Sequence, residues 1–132
     1  VTDTRLRDED RALLKGKNFA HVATLRADGS PAVTPVWVDV DEDGNVLLNS
    51  AVGRLKDRNI RRDPRLALSV QDQEDPYRWL SVEGEATIEE GERAETHIQE
   101  LAQLYWGHAY DRESGPRVIY RVRPTRVLRS AD

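Results

Sequence analysis

The sequence predicts a mostly β domain: six antiparallel strands curled into a small closed or nearly closed barrel, with about three short helices. Three observations carry this expectation. Apolar residues alternate with polar ones through several short runs, as half-buried strands require. Asp28-Gly29 and Asp43-Gly44 separate the first of those runs, and Asp-Gly between apolar runs is a strong hairpin signal. Helical patterns interrupt the strands only after the third and fifth runs, so sequence neighbours pair antiparallel, and closure removes the exposed edges.

In order along the chain, Arg7 to Lys15 reads as a short helix, with Leu13 and Leu14 inward and Gly16 past its end. Asn18 to Arg26 is the first strand, Ala32 to Val40 the second and Asn45 to Ser50 the third, forming a meander; Val36, Val38 and Val40 share one face. Gly53 opens a helix that runs to about Arg61, and Asp63-Pro64 stops it because a residue before proline avoids the helical region. Leu66, Leu68 and Val70 alternate in the fourth strand, and Gln71 to Pro76 is an acidic loop. Arg78 to Ile88 is the fifth strand, with Leu80, Val82, Ala86 and Ile88 on one face and Trp79, Ser81, Glu83 and Glu85 on the other. Arg93 to Tyr105 is a helix whose apolar stripe is Ile98, Leu101, Ala102 and Tyr105. A loop over Gly107 to Pro116 leads to the sixth strand, Arg117 to Arg123. No repeat or linker divides residues 1–132, so one domain is expected.

Composition excludes several functions. There is no cysteine, which removes disulfides, thiol nucleophiles and Cys-based metal sites. His21, His97 and His108 are scattered without metal-ligand spacing, so no metal is expected. No apolar run approaches the roughly 18 residues of a membrane span. Val1 to Asp10 holds no signal-like apolar block, and a cytoplasmic location is expected. The net charge of −4 lacks the basic excess of a nucleic-acid binder.

Charge is nevertheless unevenly spread. Between Val52 and Leu66, Arg54, Lys56, Arg58, Arg61, Arg62 and Arg65 face only Asp57 and Asp63, a local +4 that leaves −8 for the remainder. The stretch from Asn49 to Asn59 runs from a strand through small residues and Gly53 into a helix start. Free amides at such a start attract anions. Arg54 can grip a phosphate with two donors, Lys56 adds a point charge, and Ser50 can donate a hydroxyl hydrogen bond. The competing reading is a solvated basic helix face. No P-loop and no G-x-G-x-x-G pattern is present, so nucleoside triphosphate and Rossmann-type binding are not supported.

The layout resembles the pyridoxamine-5'-phosphate-oxidase-like split β-barrel superfamily, an FMN-binding-protein-like fold. Within it the chain is most similar to the actinobacterial branch that uses the deazaflavin coenzyme F-420, and to its biliverdin-reductase-like members. The matching pieces are Ala23 to Pro31, Arg54-Leu55-Lys56, Asn59 to Arg65, Trp79-Leu80-Ser81-Val82-Glu83-Gly84 and Arg126-Val127-Leu128, in one order from Asp8 to Ser130. The resemblance implies a homodimer with cofactor sites at the subunit interface. It implies a ring stacked along Pro35, Val36 and Trp37 and a phosphate held by Ser50, Ala51, Arg54 and Lys56, with Leu55, Asn59 and Trp79 also at the cofactor. Arg58, Arg61 and Arg62 then become candidates for the acidic oligoglutamate tail of F-420. The chain stops at Asp132, short of the segment with which the oxidase proper binds pyridoxal phosphate, so vitamin B6 oxidation is not expected.

Trp79 on a polar strand face suggests an interface or ligand wall, the alternative being a second-layer core position. Trp37 could flank the ring or simply pack; Trp106 opens a loop suited to a substrate lid, or anchors the helix end. His21 reads as a structural residue and His97 as solvent-facing, while His108, in the lid loop, is a candidate proton donor. The resemblance thus implies an F-420-dependent reductase passing hydride to a conjugated small molecule, a biliverdin-like tetrapyrrole or a quinone. The alternatives are an FMN-binding oxidoreductase of the same fold and a non-enzymatic cofactor carrier or small-molecule sensor.

Overall fold

In the computed structural model, which describes residues 3–131, helix α1 (Asp8–Lys15) precedes strands β1 (Phe19–Leu25), β2 (Pro31–Val40) and β3 (Val46–Ala51). Helix α2 (Leu55–Arg62) leads to β4 (Arg65–Gln71) and β5 (Trp79–Glu90), and helix α3 (Glu92–Trp106) to β6 (Arg117–Arg129). The strands close into a barrel in the order β1-β2-β3-β6-β5-β4, and β4 pairs back onto β1. Every pairing is antiparallel. The mostly β, six-stranded barrel with three helices therefore stands as expected. Among the described residues no helix is long and apolar enough to cross a membrane.

Alternation produces the core. Val22, Val38, Leu48, Leu68, Val82 and Tyr120, drawn from all six strands, meet inside the barrel. Leu13 and Leu14 of α1 join the same cluster. Outside it, α3 lies over β3 and β6, with Ala94 against Leu47 and Ile119. All six residues of β3 are buried, because this strand has the barrel interior on one side and α3 on the other.

Three expectations are corrected. The sixth strand does not stop at Arg123 but continues to Arg129. Pro124 lacks an N–H and reads as a strand end, yet it sits opposite Gly84 at a register shift that leaves Thr125 as the extra residue. Gly84 is required there, since a Cβ would run into the Arg123 carbonyl and Val122 Cγ1. Ile88 is exposed rather than in the core, because β5 past Glu85 has only β6 beside it. His97 does not face solvent but is wholly buried under α3. His21, by contrast, is exposed on β1.

Candidate functional site

Gly53, at φ +93°, turns the chain from β3 into α2 in a conformation that favours glycine. Arg54 follows as the extended N-cap, and its side chain does not cap the helix. Asp57 reaches back instead: it accepts from the Gly53 amide at 2.8 Å, from Tyr120 Oη at 2.7 Å and from Arg61 Nε at 3.0 Å. Burial alone would raise the Asp57 carboxyl, but these donors hold it below its ordinary value. The carboxylate nearest the basic segment is therefore turned into the barrel, leaving Arg54 and Lys56 without an ion pair among the described residues.

Beside the helix start lies a cavity of about 520 Å³, within the range of roughly 300–1,000 Å³ typical of small-molecule sites. Pro35, Val36 and Trp37 of β2 form one wall, and Arg54 and Lys56 one end. Trp106, Tyr110 and Arg117 close the other side. A smaller recess, lined by Thr24, Thr34 and Leu55, shares Pro35, Arg54 and Lys56 with it. Burial pushes the Lys56 ammonium down, and the neighbouring charges of Arg54 and Arg117 push it the same way. Three cations thus repel one another around one cavity, an arrangement that an entering anion relieves.

The aromatic wall is one connected stack. Trp37 lies parallel to Tyr105 with centroids 5.0 Å apart, and Trp106 meets Trp37 edge-on at 4.7 Å. Tyr110 stacks on Trp106 at 5.4 Å. Tyr105 fixes the base of the stack, donating from its hydroxyl to the Asn18 carbonyl at 2.6 Å. Arg112 lies 5.8 Å from the Trp106 ring and Arg117 5.0 Å from that of Tyr110. Such a surface suits a flat, conjugated ligand.

Of the residues singled out from sequence, the structure gathers Pro35, Val36, Trp37, Arg54 and Lys56 on the main cavity and Leu55 on the recess. Ser50 shares the core face of β3 with Val46 and Leu48, and Ala51 is buried; neither lines these hollows. Asn59 is buried behind α2, donating to Thr24 Oγ1 at 3.0 Å. Arg61 grips Asp57 and reaches Glu90 at 3.5 Å, while Arg62 donates to the Leu25 carbonyl and to Asn59. Arg58 is exposed and donates only to the Gly53 carbonyl among the described residues. Trp79 stands at the start of β5 beside Ser130, away from the cavity. His108 stacks on Trp106 but is exposed, with Nδ1 donating to the Ala109 carbonyl.

Sequence reasoning gave Arg117 no role and met Asn49 and Tyr110 only as members of the Asn49 to Asn59 stretch and of the lid loop; the structure puts all three on the cavity. The available signals were a polar residue at the end of an otherwise apolar strand and a loop tyrosine two residues beyond His108. Among the described residues no group of three His, Cys, Asp or Glu is placed to hold a metal.

The family described as pyridoxamine 5'-phosphate oxidase matches residues 6–130. The chain belongs to this family. Within the pyridoxamine 5'-phosphate oxidase family it is 35% identical over 133 residues to an F-420H(2)-dependent biliverdin reductase from Mycobacterium tuberculosis (strain CDC 1551 / Oshkosh), covering 99% of this chain and 93% of that protein. A solved structure of an F-420 reductase superposes with a TM-score of 0.81 at 31% identity, covering 93% of this chain and 98% of that one. A conserved hypothetical protein of Mycobacterium tuberculosis gives a TM-score of 0.77 at 26% identity, over 96% of this chain and 86% of that one.

Proposed function

We propose that this chain is an F-420-dependent reductase that passes hydride to a conjugated small molecule, a biliverdin-like tetrapyrrole or a quinone. The observation that carries the reading is the convergence of Arg54, Lys56 and Arg117, none of them ion-paired among the described residues, on one aromatic-walled cavity. It is supported by the 35% identity to a biliverdin reductase that uses the reduced form of this cofactor.

The residues present fit such a cofactor. Arg54 and Lys56 offer charge-assisted donors to its phosphate beside the uncapped start of α2. The Pro35 to Trp37 segment offers an extended wall for its ring. When bound, the reduced deazaflavin supplies the hydride. This chain's part is to hold the ring against Trp37, to exclude water with Trp106 and Tyr110, and to stabilise developing negative charge with its cations. Contact with the glutamate tail falls to Arg58, since Arg61 and Arg62 are committed to Asp57, Glu90 and the Leu25 carbonyl. In its neutral form His108 has its one N–H on the Ala109 carbonyl, so proton donation from it requires the imidazolium. Assembly as a homodimer, with each cavity at the subunit interface, belongs to the same reading.

Titrating the protein with F-420 and with FMN tests it. Tighter binding of F-420, followed by oxidation of its reduced form with a conjugated acceptor, is expected. Tighter binding of FMN overturns the cofactor assignment, and tight F-420 binding with no turnover on any acceptor favours a carrier.

A further inference from the structure

Arg117 opens β6 at the cavity wall and is only 5% exposed. A buried guanidinium normally has a carboxylate beside it, because desolvating an unpaired charge is expensive. Among the described residues no carboxylate lies within ion-pair distance of the Arg117 guanidinium; the nearby Glu95 carboxylate accepts from the Arg117 backbone amide instead, at 2.7 Å. Its Nε donates to Asn49 Oδ1 at 2.9 Å, and its Nη1 to Ser114 Oγ at 2.8 Å, with Tyr110 Oη at 3.4 Å. Its Nη2 makes no hydrogen bond among the described residues.

What holds Arg117 is a chain of hydrogen bonds with only one possible direction. The arginine is donor-only, so the Asn49 atom facing it is the amide oxygen. The amide nitrogen of Asn49 then donates to the Ala94 carbonyl at 3.0 Å and to His97 Nδ1 at 3.2 Å. With Nδ1 accepting, the fully buried His97 carries its proton on Nε2, which faces Asp39 Oδ2 at 3.2 Å. Lys15 Nζ holds the other oxygen of Asp39 at 2.8 Å. Burial would raise the Asp39 carboxyl, but the donors His97 and Lys15 keep it well below the usual carboxylate range. The chain crosses α1, β2, α3, β3 and β6 and ends on the cavity.

We infer that Arg117 anchors an anionic group of the bound ligand through its unbonded Nη2, and that Asn49 and His97 are positioning residues that fix its guanidinium toward the cavity. The anion is a phosphate or a carboxylate, contributed by the deazaflavin or by the acceptor. Only the choice between these sources rests on the F-420 reading.

The test measures quenching of tryptophan fluorescence in the intact protein by two ligand pairs. One pair is the deazaflavin phosphate without its glutamates and the same deazaflavin without phosphate. The other is biliverdin and its dimethyl ester. Arg117→Gln should weaken the anionic member of one pair by roughly tenfold or more, with less than about a twofold change for its neutral partner. Loss confined to the first pair assigns the phosphate, and loss confined to the second assigns the carboxylate. His97→Phe, of similar size but without either ring nitrogen, should reproduce part of the same anion-selective loss. His97→Leu, which also lacks both ring nitrogens, provides a second variant if the phenylalanine disturbs folding. Equal losses across each pair, or none, overturn the anchor. Undiminished anion preference in a folded His97 variant overturns the positioning chain. If wild type binds neither deazaflavin, the cofactor reading fails, and the acid and ester pair alone decides the role of Arg117.

Discussion

Arg54 and Lys56 were legible as an anion grip because they lie two positions apart on one helix start, and the structure puts both on the cavity. Arg117 and Asn49 were not, because their contact joins residues 68 apart and exists only after β3 pairs with β6. If Arg54 and Lys56 hold a phosphate, each supplies a charge-assisted hydrogen bond worth about 1.5–3 kcal/mol. Arg54→Ala and Lys56→Ala should each weaken F-420 by roughly 10- to 100-fold, and should weaken the deazaflavin phosphate without glutamates equally. Arg58→Ala should cost less than about fivefold, only with the tailed cofactor, and the loss should shrink with added salt. Equilibrium titrations at two ionic strengths check both outcomes; undiminished binding by the Arg54→Ala, Lys56→Ala double variant would remove the phosphate grip.

At the scale of elements, periodicity located most strands and helices to within a residue or two. It failed where a residue obeys one rule locally and another in the fold. His97 lies in register with Ala94, Ile98, Leu101 and Ala102 on the buried stripe of α3, but a histidine beside charged residues reads as solvent-facing. Pro124 reads as a terminator, yet the bulge tolerates its missing donor. Helix α2 owes its placement to a device that the local pattern also hides, the Asp57 carboxylate turned inward onto Tyr120. Because its folded pKa is depressed, Asp57 contributes stability fully present above its ordinary value of 3.8 and lost as pH falls through the lower folded value. Asp57→Asn leaves buried donors poorly matched and should destabilise by about 3 kcal/mol at neutral pH. Below pH 3.8 its melting temperature should fall less steeply with acid than that of wild type. Thermal melts from pH 2 to 7 measure both, and parallel curves would show that Asp57 does not couple α2 to the proton.

On the scale of the whole molecule, barrel closure gives every strand two neighbours over part of its length and leaves short one-sided stretches, at β2 before Val38 and β5 past Glu85. Most of what a partner meets is side-chain surface. Val33 is 62% exposed, Phe19 46% and Trp79 37%, large apolar groups for a chain of 132 residues. We expect a dimer by sedimentation at micromolar concentration, and expect Trp79→Ala to weaken assembly or cofactor affinity more than it lowers the melting temperature. A sharp drop in melting with assembly and affinity intact would make Trp79 a packing residue instead. The cavity also divides its labour between two parts of the chain. Its cationic end stands on α2, while Tyr110 and Arg112 belong to the segment between α3 and β6, which contributes nothing to the barrel. Rewriting that one segment, with Tyr110 and Ser114 kept as partners of Arg117, can therefore change which acceptor is admitted while Arg54 and Lys56 stay in place at the start of α2. In a lineage, divergence of substrate preference among such proteins should accumulate between Gly107 and Pro116 while the rest of the chain stays still.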